Sequence, residues 1–192
     1  MRSIGIFSIF LLTLLACILM SAGGRSSAGA PGGHSGAPGE NDCSHSGCHD
    51  DGKVNSGTAV LELLGIAQET FNKGNVYDLK IKISDPNVTR FGFQLLALET
   101  DSLKNAGEFQ LTDEERTQMV IDRQKNNDRK YLTYTFNGTD AVRRGLGEWT
   151  VKWKAPSSGK KISFYLAAVS ANDDMQDKGD HVYTLTKTVE LK

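Results

Sequence analysis

Cysteine is scarce in this sequence, and its placement excludes a disulfide-stabilised core. The three cysteines are Cys17, Cys43 and Cys48, and none follows residue 48. Removal of an N-terminal leader would take Cys17 with it and leave two cysteines in one short segment. The remainder of the chain must therefore be stabilised by packing alone.

The chain also lacks a strong net charge. Its 22 basic and 23 acidic residues give a formal net charge of −1 at pH 7. This balance provides no electric field that would attract the protein to nucleic acid or to an anionic membrane. We expect neither as a partner.

Patterns of catalytic residues are missing as well. The sequence shows no paired carboxylates near a histidine, no nucleophile beside a base and no phosphate-binding glycine loop. We therefore expect a protein that is not an enzyme.

Residues 1–22 have the layout of a cleavable secretory signal peptide. A basic residue precedes an apolar run at residues 4–20, and small residues follow at 21–24. The run is shorter than the roughly 20 residues that a membrane-spanning helix usually needs. Cleavage is predicted near Ala22, and the alternative is lipoprotein processing with a lipid anchor at Cys17. Both predict an extracytoplasmic protein that is secreted, periplasmic or on the cell surface.

A neck rich in Gly, Ser and Pro is predicted at residues 23–56, followed by one domain at residues 57–192. Residues 23–40 are almost all Gly, Ser, Ala and Pro. Such a segment cannot bury enough apolar surface to offset the entropy of ordering it. It therefore predicts a flexible tether.

Within residues 57–192, apolar and polar residues alternate, which is the pattern of half-buried strands. Turn-forming residues separate about nine such segments, and no helical periodicity competes except at residues 112–117. We predict an all-β, immunoglobulin-like antiparallel β-sandwich. Trp149 and Trp153 are predicted to lie in its core. The predicted strand segments are 59–64, 77–83, 91–98, 119–122, 131–136, 149–153, 162–166, 182–186 and 189–191.

The neck carries a Cys-x4-Cys-His motif formed by Cys43, Cys48 and His49. It is a widened variant of the Cys-x2-Cys-His signature of c-type haem attachment. Two thiols can add to the two vinyl groups of a haem while the adjacent imidazole ligates the iron. The motif thus predicts covalent haem c at Cys43 and Cys48, with His49 as the proximal iron ligand.

The same residues allow three other interpretations. An oxidising compartment would favour a Cys43–Cys48 disulfide. A metal site could use Cys43, His45, Cys48 and His49, although four ligands so close in sequence strain tetrahedral geometry. The cysteines could also be an inert pair without any such role.

If haem is bound, a sixth iron ligand could come from elsewhere in the chain. His34 is our candidate, because the Gly- and Pro-rich residues between it and Cys43 could wrap around the haem edge. The other residues considered are His181, Met119 and Met175, and five-coordinate iron is the alternative.

Several stretches together resemble a family of secreted bacterial proteins called choice-of-anchor (type V) or Reelin-like (reeler) domain proteins. The resemblance covers nearly the whole chain after the leader, and it is carried by both the neck and the sandwich. The matching stretches are His34-Ser35-Gly36-Ala37-Pro38-Gly39-Glu40 with the Cys-His motif, Phe91-Gly92-Phe93-Gln94-Leu95-Leu96-Ala97, residues 149–156, Phe164-Tyr165-Leu166-Ala167-Ala168 and Gly179-Asp180-His181-Val182-Tyr183.

The resemblance implies an immunoglobulin-like β-sandwich on an extracytoplasmic protein. Members of the group commonly have Cys-x2-Cys-His where this chain has Cys-x4-Cys-His. The sequence therefore predicts one of two functions. The first is an exported haem protein with a role in electron transfer or redox sensing and an unknown redox partner. The alternative is an extracellular binding or adhesion module with a Cys43–Cys48 disulfide, no haem and an unknown surface partner.

Overall fold

Ten β-strands form two sheets in the described part of the chain. The computed structural model describes residues 29–45, 47–65, 70–122, 125, 128–174, 176 and 178–192. The predicted signal peptide, Cys17 and Met175 lie outside these residues. The strands are β1 Val60–Leu64, β2 Thr70–Phe71, β3 Val76–Ser84, β4 Arg90–Glu99, β5 Glu108–Leu111, β6 Thr117–Ile121, β7 Lys130–Tyr134, β8 Leu146–Lys154, β9 Lys161–Ala171 and β10 His181–Leu191.

The sheets contain four and six strands, in the orders β1-β3-β8-β5 and β2-β10-β9-β4-β7-β6. All pairings are antiparallel except the short one between β2 and β10. The predicted all-β antiparallel sandwich is confirmed. No helix of the described residues is long and apolar enough to cross a membrane.

One apolar core fills the space between the two sheets. Alternate residues of β3 and β8 meet alternate residues of β4 and β9 there. Trp149 and Trp153 are buried, as predicted. Their indole N–H groups donate to the carbonyl oxygens of Gly138 at 2.9 Å and Ala106 at 3.0 Å, so each buried ring has its polar atom satisfied.

The outer face of the four-stranded sheet is polar. Lys and Asp or Glu side chains form ion pairs across neighbouring strands, with nitrogen–oxygen distances from 2.7 to 2.9 Å. These groups are partly exposed, so each pair contributes little to stability. The pairs are Lys80–Glu148, Lys82–Glu62 and Lys152–Asp78.

Within residues 29–45 and 47–56 of the neck, Ala37, Cys43 and Val54 pack on the outer face of the six-stranded sheet. Ala37 packs against Leu96, Leu98 and Tyr131. Further along, Cys43 packs against a second apolar group on β9 and β10, formed by Ala167, Val169 and Val182. For residues 29–40, the described part of the predicted tether, the prediction of flexibility is therefore wrong.

The neck is ordered because of the sheet on which it packs, and not because of its own composition. A sheet with apolar residues on both faces gains stability when its second face is also covered. Small neck residues allow the close approach that this requires. A Cβ atom on Gly32 would lie 2.4 Å from the backbone nitrogen of Asp122, so only glycine fits there.

Candidate functional site

The neck is fixed to the sheet by a buried ion pair. Arg129 Nη1 donates to Glu40 Oε1 at 2.6 Å, and it also donates to the carbonyl oxygen of Pro38 at 3.1 Å. Both side chains are almost fully buried. Burial raises the pKa of Glu40, and the Arg129 charge opposes that rise. The pair holds the neck just before the Cys-His motif begins.

A second buried polar group holds the neck near His34. The Gln94 side chain is fully buried on β4. Its Oε1 accepts the backbone N–H of His34 at 2.7 Å, and its Nε2 donates to the carbonyl oxygen of Pro31 at 2.9 Å. The Gln94 side chain thereby forms a donor and an acceptor hydrogen bond with the neck backbone, as the backbone of a neighbouring strand would.

The three motif residues belong to one hydrogen-bonded loop. The backbone N–H of Cys48 donates to the His45 carbonyl at 2.9 Å, and that of His49 donates to the Cys43 carbonyl at 3.2 Å. Both cysteines are free thiols in this structure. The fold thus presents two thiols and an imidazole on one loop.

The two thiols lie in different surroundings. Cys43 is buried, and its Sγ lies 3.8 Å from the carbonyl oxygen of His34. Burial, with smaller contributions from Asp42 and Cys48, raises the pKa of the Cys43 thiol to about 12. Cys48 is only partly buried. At neutral pH, Cys43 is therefore a protonated thiol shielded from solvent.

Tyr134 lies close to both cysteines, and no motif in the sequence selects it. Its ring covers Gly92, where a Cβ atom would come within 2.6 Å of Tyr134 Cε1. Burial raises the pKa of the Tyr134 hydroxyl, and the nearby negative charges that Cys43 and Cys48 would carry raise it further. The site therefore contains a neutral phenol beside the two thiols.

His49 is bonded to a carboxylate from the distant end of the sandwich. Its Nδ1 lies 2.6 Å from Oδ2 of Asp180, a residue 131 positions later, immediately before β10. Because a carboxylate accepts hydrogen bonds and does not donate them, Nδ1 carries the proton, and in the neutral imidazole the lone pair lies on Nε2. In that form, Nε2 is the atom that can ligate iron.

The residues considered for a sixth ligand have different positions. The His34 Nδ1 lies 3.1 Å from the Pro31 carbonyl oxygen, and the His34 ring centroid is 6.2 Å from that of His45. His34 and Met119 both line an open groove of about 950 Å³ beside β5 and β6. His181 is exposed at the first position of β10. His34 thus lies beside the motif, because its carbonyl oxygen contacts Cys43 Sγ.

A metal site made only of protein ligands finds no support in the described residues. No group of three or more His, Cys, Asp and Glu side chains in the described ranges is arranged to hold a metal ion. The interpretation that used Cys43, His45, Cys48 and His49 as a tetrahedral set therefore has no geometric basis among these residues.

Comparison with known proteins shows no family relationship. No protein-family profile and no curated protein matches the chain. Solved structures with low similarity include a cohesin module from a Clostridium perfringens ATCC13124 family 33 glycoside hydrolase. It is 10% identical with a TM-score of 0.44, covering 70% of this chain and 96% of the module.

Two further solved structures are similar at the same low level. CaCohA2 from Clostridium acetobutylicum is 11% identical with a TM-score of 0.37, covering 67% of this chain and 90% of that chain. A Nocardia farcinica protein with an immunoglobulin-like fold is 14% identical with a TM-score of 0.33, covering 67% of this chain and 96% of that chain.

Proposed function

We propose that this protein is an exported, non-enzymatic β-sandwich that carries a covalently attached haem on its Cys-His loop. The observation that carries the proposal is the loop itself, which holds two free thiols and an imidazole whose Nδ1 contacts Asp180. The types of donor are those of a covalently attached haem, because they provide two sulfurs for attachment and one nitrogen for iron.

In this proposal, Cys43 and Cys48 hold the haem through thioethers and His49 Nε2 ligates its iron. The bound haem would supply a one-electron Fe(III)/Fe(II) couple. The sandwich fixes the loop and excludes water on the Cys43 side. We keep His34 as the candidate sixth ligand, because its Nδ1 contact with Pro31 leaves Nε2 available. The redox partner is a protein of unknown identity.

We also propose that the chain belongs with the Reelin-like bacterial proteins that it resembles. Two of the resembling stretches, the Cys-His motif and the Gly179-Asp180 segment, contact each other through His49 and Asp180. Contact between stretches so far apart in sequence gives a physical reason for both to occur in one protein. A haem-bearing protein of this kind would act outside the cytoplasm.

A second candidate function is an extracellular binding or adhesion module without haem. The observation in its favour is the burial of Cys43 among Ala167, Val169 and Val182. A thiol in such surroundings can serve as a small apolar side chain that caps the neck. The sandwich would then provide the binding surface for a surface partner.

One experiment separates the two functions. The full chain is expressed in a periplasm equipped for cytochrome maturation, beside the Cys43→Ala/Cys48→Ala variant. A haem-stained band on a denaturing gel and a mass increase of one haem, both lost in the variant, would establish the haem protein. A colourless chain lighter by two hydrogens would show a disulfide, and a colourless chain with two free thiols would favour the capped binding module.

A further inference from the structure

The carboxylate that contacts His49 is itself held in place. Asp180 Oδ2 lies 2.6 Å from His49 Nδ1, while Asp180 Oδ1 accepts the backbone N–H of Asn172 at 3.0 Å. The Asp180 side chain is 3% exposed, whereas that of His49 is 32% exposed. Both carboxylate oxygens are therefore committed, and the group cannot rotate without losing a hydrogen bond.

This arrangement provides a hydrogen-bond partner for the second ring nitrogen of a metal-ligating histidine. A histidine that ligates a metal commonly donates its other ring N–H to a carboxylate, which fixes the ring and increases its basicity. Within the motif, Asp42 accepts hydrogen bonds from Ser44 and Asp50 accepts one from Gly47, whereas the carboxylate that contacts the His49 ring is Asp180. The partner comes from the sandwich.

We propose that Asp180 is a positioning residue that holds His49 as the Nδ1–H tautomer and strengthens it as the proximal ligand of the haem. The second part rests on the proposed function. A negative charge behind the imidazole makes it a better electron donor and stabilises Fe(III) over Fe(II). Asp180 would thus lower the reduction potential of the bound haem. The sandwich is then part of the redox centre and not only its carrier.

The structure also offers a matched control for this proposal. Asp51 Oδ2 accepts the backbone N–H of Gly179 at 2.8 Å. This contact joins the end of the neck to the same β9–β10 loop, but it does not involve His49. Asp51→Asn therefore weakens the docking of the loop and leaves the His49–Asp180 pair in place.

The first measurement uses the haem-free full chain and needs no variant. Nitrogen-15 NMR of the histidine rings is expected to show His49 as the Nδ1–H tautomer. In Asp180→Asn, the Asn172 N–H retains the amide oxygen, so the amide NH₂ faces His49 and donates to Nδ1. His49 should then change to the Nε2–H tautomer, while Asp51→Asn keeps the original one. An Nε2–H tautomer in the wild type would overturn the proposal.

The second measurement is a redox titration of the haem-loaded chains. At a fixed solution potential, Asp180→Asn should lower the Fe(III)-to-Fe(II) ratio, because the negative charge behind the imidazole is lost. A tenfold change in this ratio would correspond to about 59 mV for a one-electron couple. Asp51→Asn should titrate like the wild type. Equal potentials in all three proteins would overturn the assignment of Asp180 to the redox centre.

The outcomes separate the two proposals. If no chain binds haem but the tautomers are as expected, the proposed haem function fails while Asp180 remains the residue that sets the His49 tautomer. If haem binds and Asp180→Asn changes neither the tautomer nor the potential, the haem function stands and the role of Asp180 fails.

Discussion

The two cysteines of the motif are alike in sequence but differ in their surroundings. Cys43 faces apolar residues of β9 and β10, whereas Cys48 lies in the part of the loop that reaches solvent. Because the thiolate is the reactive form of cysteine, burial and a raised pKa both lower the reactivity of Cys43. The two positions should therefore be distinguishable chemically.

We predict that iodoacetamide modifies Cys48 much faster than Cys43 in the haem-free, reduced chain at pH 8. The pKa of Cys43 is raised from 9.0 to about 12, so fewer than about one in a thousand of its thiols ionise at that pH. Peptide mass spectrometry over time would measure the two rates. Equal rates in the folded chain would contradict the buried position of Cys43, and equal rates in urea serve as the control.

Gly92 tests the packing of Tyr134 beside the cysteines. Gly92→Ala places a Cβ atom 2.6 Å from Tyr134 Cε1, so the ring must move. We expect a loss of about 1–3 kcal/mol in the free energy of unfolding. Urea denaturation would measure it. Gly52→Ala is the matched control, because the nearest atom to its Cβ, Ser56 Oγ, would be 4.0 Å away. A Gly92→Ala protein as stable as this control would refute the packing.

The residues of the site were only partly predictable from the sequence. Cys43, Cys48 and His49 could be selected because the motif is local and its residue types match a known chemistry. Asp180 and Gln94 could not be assigned roles, because each meets the neck only after the sheet has formed. The resemblance to Reelin-like proteins marked the Gly179-Asp180 segment, but it did not indicate that Asp180 contacts His49.

Among the elements, the neck differs most from expectation. Composition describes how residues 29–40 behave in isolation, and it predicts a tether. The buried pair of Glu40 and Arg129 supplies an attachment that composition does not show. Removing one member of a buried pair costs more than removing both, since the other charge is left unpaired.

Glu40 gives the neck a pH-dependent contribution to stability. Its folded-state pKa lies above the ordinary value of 4.5 because of burial. A raised pKa means that the contribution is complete below pH 4.5 and is lost as pH rises through the folded-state pKa. The free energy of unfolding of the wild type, measured relative to that of Glu40→Gln, should therefore decrease as the pH rises from 4.5 through the folded-state pKa of Glu40. Urea titrations at several pH values would measure the difference, and parallel curves would contradict the prediction.

Arg129 provides a separate test of the same attachment. Arg129→Met leaves the buried Glu40 without its partner, and we expect it to destabilise the protein by about 3–5 kcal/mol at pH 7. The double variant with Glu40→Gln should recover part of that loss. A thermodynamic cycle from urea denaturation would give the coupling energy. If the single and double variants are equally unstable, the two side chains do not act as a pair.

The long strands were predictable, and the short ones were not. The alternating rows at Tyr77, Trp149 and Ile162 correspond to β3, β8 and β9. The segments 182–186 and 189–191 proved to be one continuous strand, β10. Strands β2 and β5, which have two and four residues, were not predicted. Such short edge strands carry too little alternation to be recognised and are defined by their neighbours.

At the scale of the whole molecule, the two outer faces of the sandwich differ. One carries ion pairs and can face water, whereas the other carries apolar residues of β4, β9 and β10 beneath the neck. An exposed apolar patch of this kind favours association. Residues 29–45 and 47–56 of the neck are therefore part of the folded unit.

We predict that a fragment of residues 57–192 is less stable than the full chain and self-associates. Removal of the neck uncovers Leu96, Leu98, Val169 and Val182, which the full chain buries. Size-exclusion chromatography and binding of a hydrophobic dye would detect the change. The Cys43→Ala/Cys48→Ala chain is the control, since it lacks the thiols but keeps the neck that packs on the sheet. A monomeric fragment with full stability would contradict the prediction.

The burial of Cys43 sets an order of events in time. A chain emerges from synthesis or export with its N-terminus first, so the motif appears before β9 and β10 exist. Until those strands pair, nothing shields Cys43. Once they form, its sulfur is enclosed between the neck and the sheet. Covalent modification of Cys43 thus belongs to the interval before β9 and β10 pair, and completion of the sheet ends that interval.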